Sequence, residues 1–276
     1  MKVACVQMTT TTDSAVNCAA MVAVLREAVA QDVAFIAFPE TCNFMERGHK
    51  AMRARVQSEA DDICLAALRA EAAAHKIWVS AGSLILATPE GHVVNRSLLI
   101  NPQGQVVARY DKIHMFDVVL DNGERHQESA HYQAGAAAVL AKVGAQHLGM
   151  SICYDVRFGE LYRAYAQAGA DFLIVPSAFT IPTGQAHWHI LLRARAIETG
   201  CFVLAAAQCG THENGRRTYG HSLIIDPWGR VLAEALENNP CFITASLDFS
   251  QGAKARQQVP SLLHGRNFKM PSLSKD

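Results

Sequence analysis

The sequence has no net charge: 25 Lys plus Arg balance 25 Asp plus Glu. No summed field therefore draws the chain to a nucleic acid backbone or an anionic membrane, and neither partner is expected. Long apolar runs are also missing. Nothing approaches the roughly 20 residues that a spanning helix needs, and Val3-Ala4-Cys5-Val6 is too short for the apolar part of a secretory signal. The expectation is a cytoplasmic protein. No pair among the eight cysteines has CxxC spacing, and a chain of 276 residues can bury a core without staples, so free thiols are expected. No GxGxxG follows the first apolar run, no GxxxxGK[ST] occurs, and there is no HExxH, which removes the usual phosphate-cradling and zinc-hydrolase signatures.

Short apolar runs alternate with helical patterns. Strands are predicted over residues 2–8, 33–38, 77–86, 94–100, 147–152, 172–176, 202–207, 221–225, 231–233 and 242–247, and helices over 14–30, 57–75, 158–168 and 186–199. The turns Thr88-Pro89-Glu90-Gly91, Asn101-Pro102-Gln103-Gly104 and Asp226-Pro227-Trp228-Gly229 read as direct reversals. A single parallel sheet does not accommodate so many hairpins beside strand–helix–strand units. The pattern predicts an α/β fold, a four-layer α-β-β-α sandwich of two mixed sheets, with a doubly wound nucleotide-binding fold as runner-up. Residues 1–259 form one domain on this reading, and 260–276 an extended arm packed on the domain or on a partner subunit. The polar stretch 116–132 has no periodicity, and loops of that length in compact domains are usually functional or disordered.

Three residues at strand ends have chemical potential. Cys153 ends an apolar run just before a helix, where a turn exposes a nucleophile and leaves backbone N–H groups free for an oxyanion. Glu40 follows the apolar strand and Pro39, where lost solvation is expected to raise its pKa towards that of a general base. Lys112 follows another strand end and can stabilise a thiolate or an oxyanion. Each has a bland alternative: a core thiol, a capping acid, a solvated lysine.

The stretches Ala37-Phe38-Pro39-Glu40, Tyr110-Asp111-Lys112-Ile113-His114, Ile152-Cys153-Tyr154-Asp155-Val156-Arg157-Phe158 and Gly220-His221-Ser222-Leu223-Ile224-Ile225-Asp226-Pro227-Trp228-Gly229 together resemble the nitrilase superfamily of carbon–nitrogen hydrolases over nearly the whole chain. The resemblance implies Glu40 as general base, Lys112 as catalytic lysine, Cys153 as nucleophile, Glu128 as a second glutamate beside the lysine, and the Tyr154 N–H as an oxyanion donor. It implies no cofactor. It further implies a homodimer, for which Tyr162 and Tyr165 are suited interface aromatics.

Phe179-Thr180-Ile181-Pro182-Thr183-Gly184 and Arg193-Ala194-Arg195-Ala196-Ile197-Glu198 are similar to the branch of deaminated glutathione amidases and omega-amidases. That implies a small carboxylate-bearing amide and water as substrates, cleaved through a thioester. The alternatives are α-ketoglutaramate, an N-carbamoyl amino acid, a nitrile, or a binding protein that has lost catalysis. His114, Phe179, Thr180 and Thr183 are candidate pocket residues, and Arg157 is the candidate for the carboxylate, with Arg195, Arg216 and Arg217 as alternatives. His187 and His189 are read as structural or rim residues, and the resemblance implies that none of His114, His187, His189 and His221 is the base. A metal shell from Asp121, His126, Glu128 and His131 lacks ligand spacing, and no metal is expected.

Overall fold

The computed structural model describes residues 1–46, 48–119, 123 and 125–270. One sheet runs in the order Cys241–Ser246, Lys2–Gln7, Phe35–Ala37, Trp78–Ala87, Val93–Ile100, Val106–Asp111, with Gln57–Ser58 added alongside Trp78–Ala87. The second runs Val231–Glu234, Leu223–Ile225, Phe202–Ala205, Phe172–Ile174, Gln146–Met150, Leu140–Val143. Each has a parallel centre flanked by antiparallel neighbours.

The period of two in the strands explains the layers. Val3, Cys5, Phe35 and Ala37 share a core with Met150, Phe172 and Ile174 of the other sheet, and the Phe35 and Phe172 rings meet edge to face at 5.5 Å. The intervening residues Ala4, Val6, Ile36 and Phe38 pack against Met21 and Leu25 of α1 (Ser14–Val29) and Leu65 and Leu68 of a second outer helix. Truncating an aromatic such as Phe172, which is fully buried, is expected to cost about 3–5 kcal/mol. Leu161, Tyr165, Trp188 and Leu192 of the helices Gly159–Gln167 and Ile181–Thr199 cover the far face. The layer order is therefore helix, sheet, sheet, helix, as the mixture of hairpins and strand–helix–strand units predicts, and the doubly wound alternative is set aside.

Several boundaries differ from the sequence reading. In the region read as a helix over 57–75, Gln57–Ser58 is a short strand. The helix is Ile63–His75, started by the Asp62 carboxylate accepting from Leu65 N at 2.8 Å. With α2 at His49–Arg55, this helix is α3, and α4 is Gly159–Gln167. The helix read over 186–199 begins five residues earlier: α5 is Ile181–Thr199, with Pro182 in its first turn, where a missing N–H costs nothing. The final helix, α6 (Ser250–Gln258), is additional. The stretch 116–132 holds a hairpin of Asp117–Val119 with Arg125–Gln127 and a 3-10 turn at Glu128–Ala130.

Tyr162 and Tyr165 are not surface aromatics. Both are buried within the chain; the Tyr162 hydroxyl pairs with Ser151 Oγ at 2.7 Å, and that of Tyr165 donates to Met150 O. They brace the strand leading to Cys153 from its helical side.

Candidate active site

Glu40, Lys112 and Cys153 each follow the carboxyl end of a strand, two in the first sheet and one in the second. Ligands of open α/β sheets gather at such ends.

The Glu40 segment is set against Trp78–Ala87 by a missing side chain. A Cβ on Gly82 would lie 1.8 Å from Phe38 O and 2.3 Å from Pro39 O, so only glycine admits this approach. Phe38 N donates to Ser80 O, Thr41 N to Ser83 Oγ and Cys42 N to Ser83 O, at 3.0, 3.0 and 2.9 Å. Gln208 Nε2, three residues beyond the strand Phe202–Ala205 of the other sheet, holds the Glu40 carbonyl at 2.9 Å.

Lys112 is 2% exposed. Its Nζ donates to Glu40 Oε1 at 2.9 Å and to Glu128 Oε1 and Oε2 at 2.9 and 2.8 Å. Asn95 Nδ2 spans the same two carboxylates, at 3.0 Å from Glu40 Oε1 and 3.4 Å from Glu128 Oε1. Phe116 N donates to Glu128 Oε2 at 2.7 Å, which ties the irregular stretch to the centre. Among the described residues, Glu40 Oε2 is buried with no partner in direct hydrogen-bonding geometry; besides Lys112 and Asn95, the Arg216 charge and the Cys153 thiol bear on this carboxylate.

Cys153 opens a 3-10 turn, Cys153–Arg157, at φ 50°, a left-handed conformation that costs a side-chain-bearing residue about 1–2 kcal/mol. Two anchors hold it there. Cys153 N donates to Pro176 O at 2.9 Å. The fully buried Asp155 accepts from Ile152 N and Tyr110 Oη through Oδ2, at 2.8 and 2.7 Å, and from His114 N through Oδ1 at 3.0 Å, with His114 Nδ1 at 2.7 Å. Asp155 thus locks the nucleophile turn to the strand that carries Lys112. The first hydrogen bond of the turn is donated by Asp155 N to Ile152 O, so the Tyr154 N–H lies ahead of the ladder, as N-terminal N–H groups do.

Burial pushes the Cys153 thiol well above its ordinary range and the Glu40 charge adds to this, outweighing Lys112 and the Ala178 N–H. Burial also works to raise Glu40, but the charges of Lys112 and Arg216, with the neighbouring Cys153 thiol and the Lys112 hydrogen bond, outweigh it, and the carboxyl is held below its usual value. This corrects the expectation that lost solvation raises Glu40. Burial works against the Lys112 ammonium, yet Glu128 and Glu40 override it and hold the lysine well above its ordinary value. The resting site is a neutral thiol beside an ionised carboxylate and an ammonium.

These groups border a cavity of ≈ 240 Å³ whose walls include Glu40, Asn95, Lys112, Glu128, Cys153, Tyr154, Phe179, Thr180, Thr183 and Arg216. That is room for a small metabolite. His114 does not line it: its ring stacks on Phe158 at 3.5 Å and braces Asp155. Arg157 does not line it either; its guanidinium lies 5.7 Å from the ring centres of Tyr154 and Phe179 and meets His187 Nδ1 at 3.2 Å. The Thr180 and Thr183 hydroxyls bond to each other at 2.8 Å. Arg195 is committed to Val156 O and Glu198. Arg216 is different: it lines the cavity, donates through Nη2 to Ala178 O, and among the described residues its buried Nε has no partner. His126, Glu128 and His131 also line the cavity but form no metal-ligand cluster among the described residues; Asp121 lies outside them.

Asn95, Asp155 and Ala178 carry no sequence-derived role. Asn95 had one signal, a polar amide inside the strand predicted over 94–100.

A protein of Synechocystis sp. named deaminated glutathione amidase is 48% identical over 181 residues, 65% of this chain and 66% of that one, so the match spans just under two thirds of that relative. A protein of the same name from Dictyostelium discoideum is 35% identical over 96% of this chain and 94% of its own. The crystal structure of Nit3 from Saccharomyces cerevisiae, described as a member of branch 10 of the nitrilase superfamily, is 28% identical with a TM-score of 0.85, covering 94% of each chain. Residues 2–257 match the carbon–nitrogen hydrolase family, and the chain belongs to it.

Proposed function

We propose that this chain hydrolyses the amide bond of a small carboxylate-bearing metabolite, deaminated glutathione by first choice, through a thioester on Cys153. The observation that carries the reading is the Lys112 ammonium bridging Glu40 and Glu128 at the wall of the cavity that Cys153 also borders. Because the resting thiol is neutral, its proton passes to Glu40 as sulfur bonds to the carbonyl carbon, not before. Lys112 Nζ and the Tyr154 N–H receive the oxyanion. Glu40 then protonates the leaving nitrogen, the C–N bond breaks and the amine departs. Water gives a proton to Glu40 and its oxygen to the acyl carbon, and the thiol leaves with that proton, restoring the start.

Arg216, whose buried Nε has no partner among the described residues, is the reading's carboxylate donor in place of Arg157. The test is a panel of deaminated glutathione, α-ketoglutaramate, N-carbamoyl amino acids and simple nitriles, scored for amine and acid release. A preference for deaminated glutathione over α-ketoglutaramate of well over tenfold is expected; inactivity on both would sink the substrate assignment.

The chain is further read as a cytoplasmic homodimer with residues 1–259 as one domain. All eight cysteines are free thiols, which suits a reducing compartment, and no described helix is long and apolar enough to cross a membrane. With Tyr162 and Tyr165 internal, the interface candidates are the exposed Ile190 and Ile197 of α5, and Leu263, Phe268 and Met270 of the arm, each more than half exposed. Light scattering after gel filtration is expected to give twice the 30.0 kDa chain mass; a monomer at micromolar concentration would remove this reading.

A further inference from the structure

Beyond the catalytic cavity, His189, His221 and Glu234 come together from three separate elements: α5, the segment after the strand Arg217–Tyr219, and the edge strand Val231–Glu234. His189 Nε2 lies 2.8 Å and His221 Nδ1 2.9 Å from the same oxygen, Glu234 Oε1. One donor atom from each residue lies within 4.8 Å of the others. The side chains are 32%, 24% and 21% exposed, so none of the three is sealed from solvent.

The arrangement is held from outside. His221 sits at φ 58°, a left-handed backbone unusual for a residue with a side chain. Trp188 Nε1 donates to the His221 carbonyl at 2.7 Å, and the Tyr219 ring stacks on the imidazole at 4.3 Å. The pinned carbonyl and the stacked ring hold His221 from outside while its Nδ1 faces Glu234.

We propose that His189, His221 and Glu234 form a site for a divalent transition-metal ion, zinc by preference, outside the catalytic cavity. Two imidazoles and one carboxylate are a zinc donor set, whereas magnesium and calcium take oxygen. Metal–ligand bonds near 2.0–2.1 Å in a tetrahedron place donor atoms about 3.3 Å apart, so the two nitrogen–oxygen separations widen by roughly half an ångström. Water fills the fourth position. Each imidazole presents its lone pair to the metal and keeps its proton on the other ring nitrogen. The ion would staple α5, whose first turn supplies Thr183 to the cavity wall, to the edge of the second sheet.

The test uses the full metal-free chain carrying Cys153→Ala, which removes the catalytic thiol as a competing ligand. Zinc titration by calorimetry is expected to show one equivalent bound with micromolar or tighter affinity, and saturating zinc to raise Tm by about 5 °C. The cobalt-loaded chain is expected to show visible d–d bands without sulfur-to-metal charge transfer. His189→Ala, His221→Asn, which tolerates the left-handed backbone, and Glu234→Gln each lose the binding and the Tm gain, with circular dichroism unchanged. Zinc bound equally by His189→Ala and His221→Asn, a thiolate charge-transfer band, or no zinc bound at all would each overturn the proposal.

Discussion

Cys153 and Cys5 are both buried thiols pushed well above their ordinary range, chiefly by burial. Cys5 lies inside the strand Lys2–Gln7, opposite Ile243 on one side and Ala37 on the other, with only the inter-sheet core around it. Cys153 sits at a strand tip on a left-handed turn, with Glu40, Lys112 and a cavity beside it. Acidity does not distinguish the two. The difference is company: one proton has a carboxylate to go to and one sulfur has space for a substrate.

The comparison breaks most sharply by removing each thiol. Cys153→Ala is expected to lower kcat about ten-thousand-fold or more. Cys5→Ala keeps turnover and costs about 1–2 kcal/mol of stability for the small cavity it leaves. A folded but equally inactive Cys5→Ala would contradict the distinction.

The next largest effect tests the charges. Lys112→Met leaves Glu40 and Glu128 without their shared cation, and is expected to abolish turnover and destabilise the fold by about 3–5 kcal/mol at neutral pH. The sign of its pH dependence follows from burial. In the parent, the depressed Glu40 carboxyl contributes stability above its unfolded value that is lost as pH falls through its folded value. Without Lys112 the burial effect dominates, the folded pKa of Glu40 rises, and the variant's deficit shrinks as pH falls towards about 5. Urea unfolding of both proteins at neutral pH and at about pH 5 checks this; a deficit that grows on acidification contradicts it.

The smallest effect concerns recognition. Arg216→Ala is expected to raise KM about 10–100-fold for a carboxylate-bearing amide and to change kcat much less, since a bound carboxylate contributes equally to ground and transition states. An equal rise in KM for a neutral amide would assign Arg216 to the walls instead.

Two of the strand tips were legible because apolar runs stop abruptly at Pro39-Glu40 and at Cys153, and the hairpins beside strand–helix–strand units called for two sheets. What the sequence concealed depended on long-range contacts. Pro182 reads as a loop breaker, yet in the first turn of α5 it is a helix starter. The interface reading of Tyr162 and Tyr165 failed because their hydroxyls are satisfied inside, by Ser151 and Met150. Burial alone argued for a raised Glu40, and the reversal comes chiefly from Lys112, 72 residues away in sequence, with Arg216 adding to it. Arg157 and Arg216 are indistinguishable as letters; only the fold shows which guanidinium lines the cavity.

The most direct measurement is intact-mass spectrometry of the wild-type chain, acid-quenched during turnover of its best amide and followed by peptide mapping. The account predicts a transient gain equal to the acyl fragment, confined to the peptide that contains Cys153 and absent in Cys153→Ala. Steady turnover with no acyl mass on that peptide, or with Cys153→Ala equally active, would contradict it.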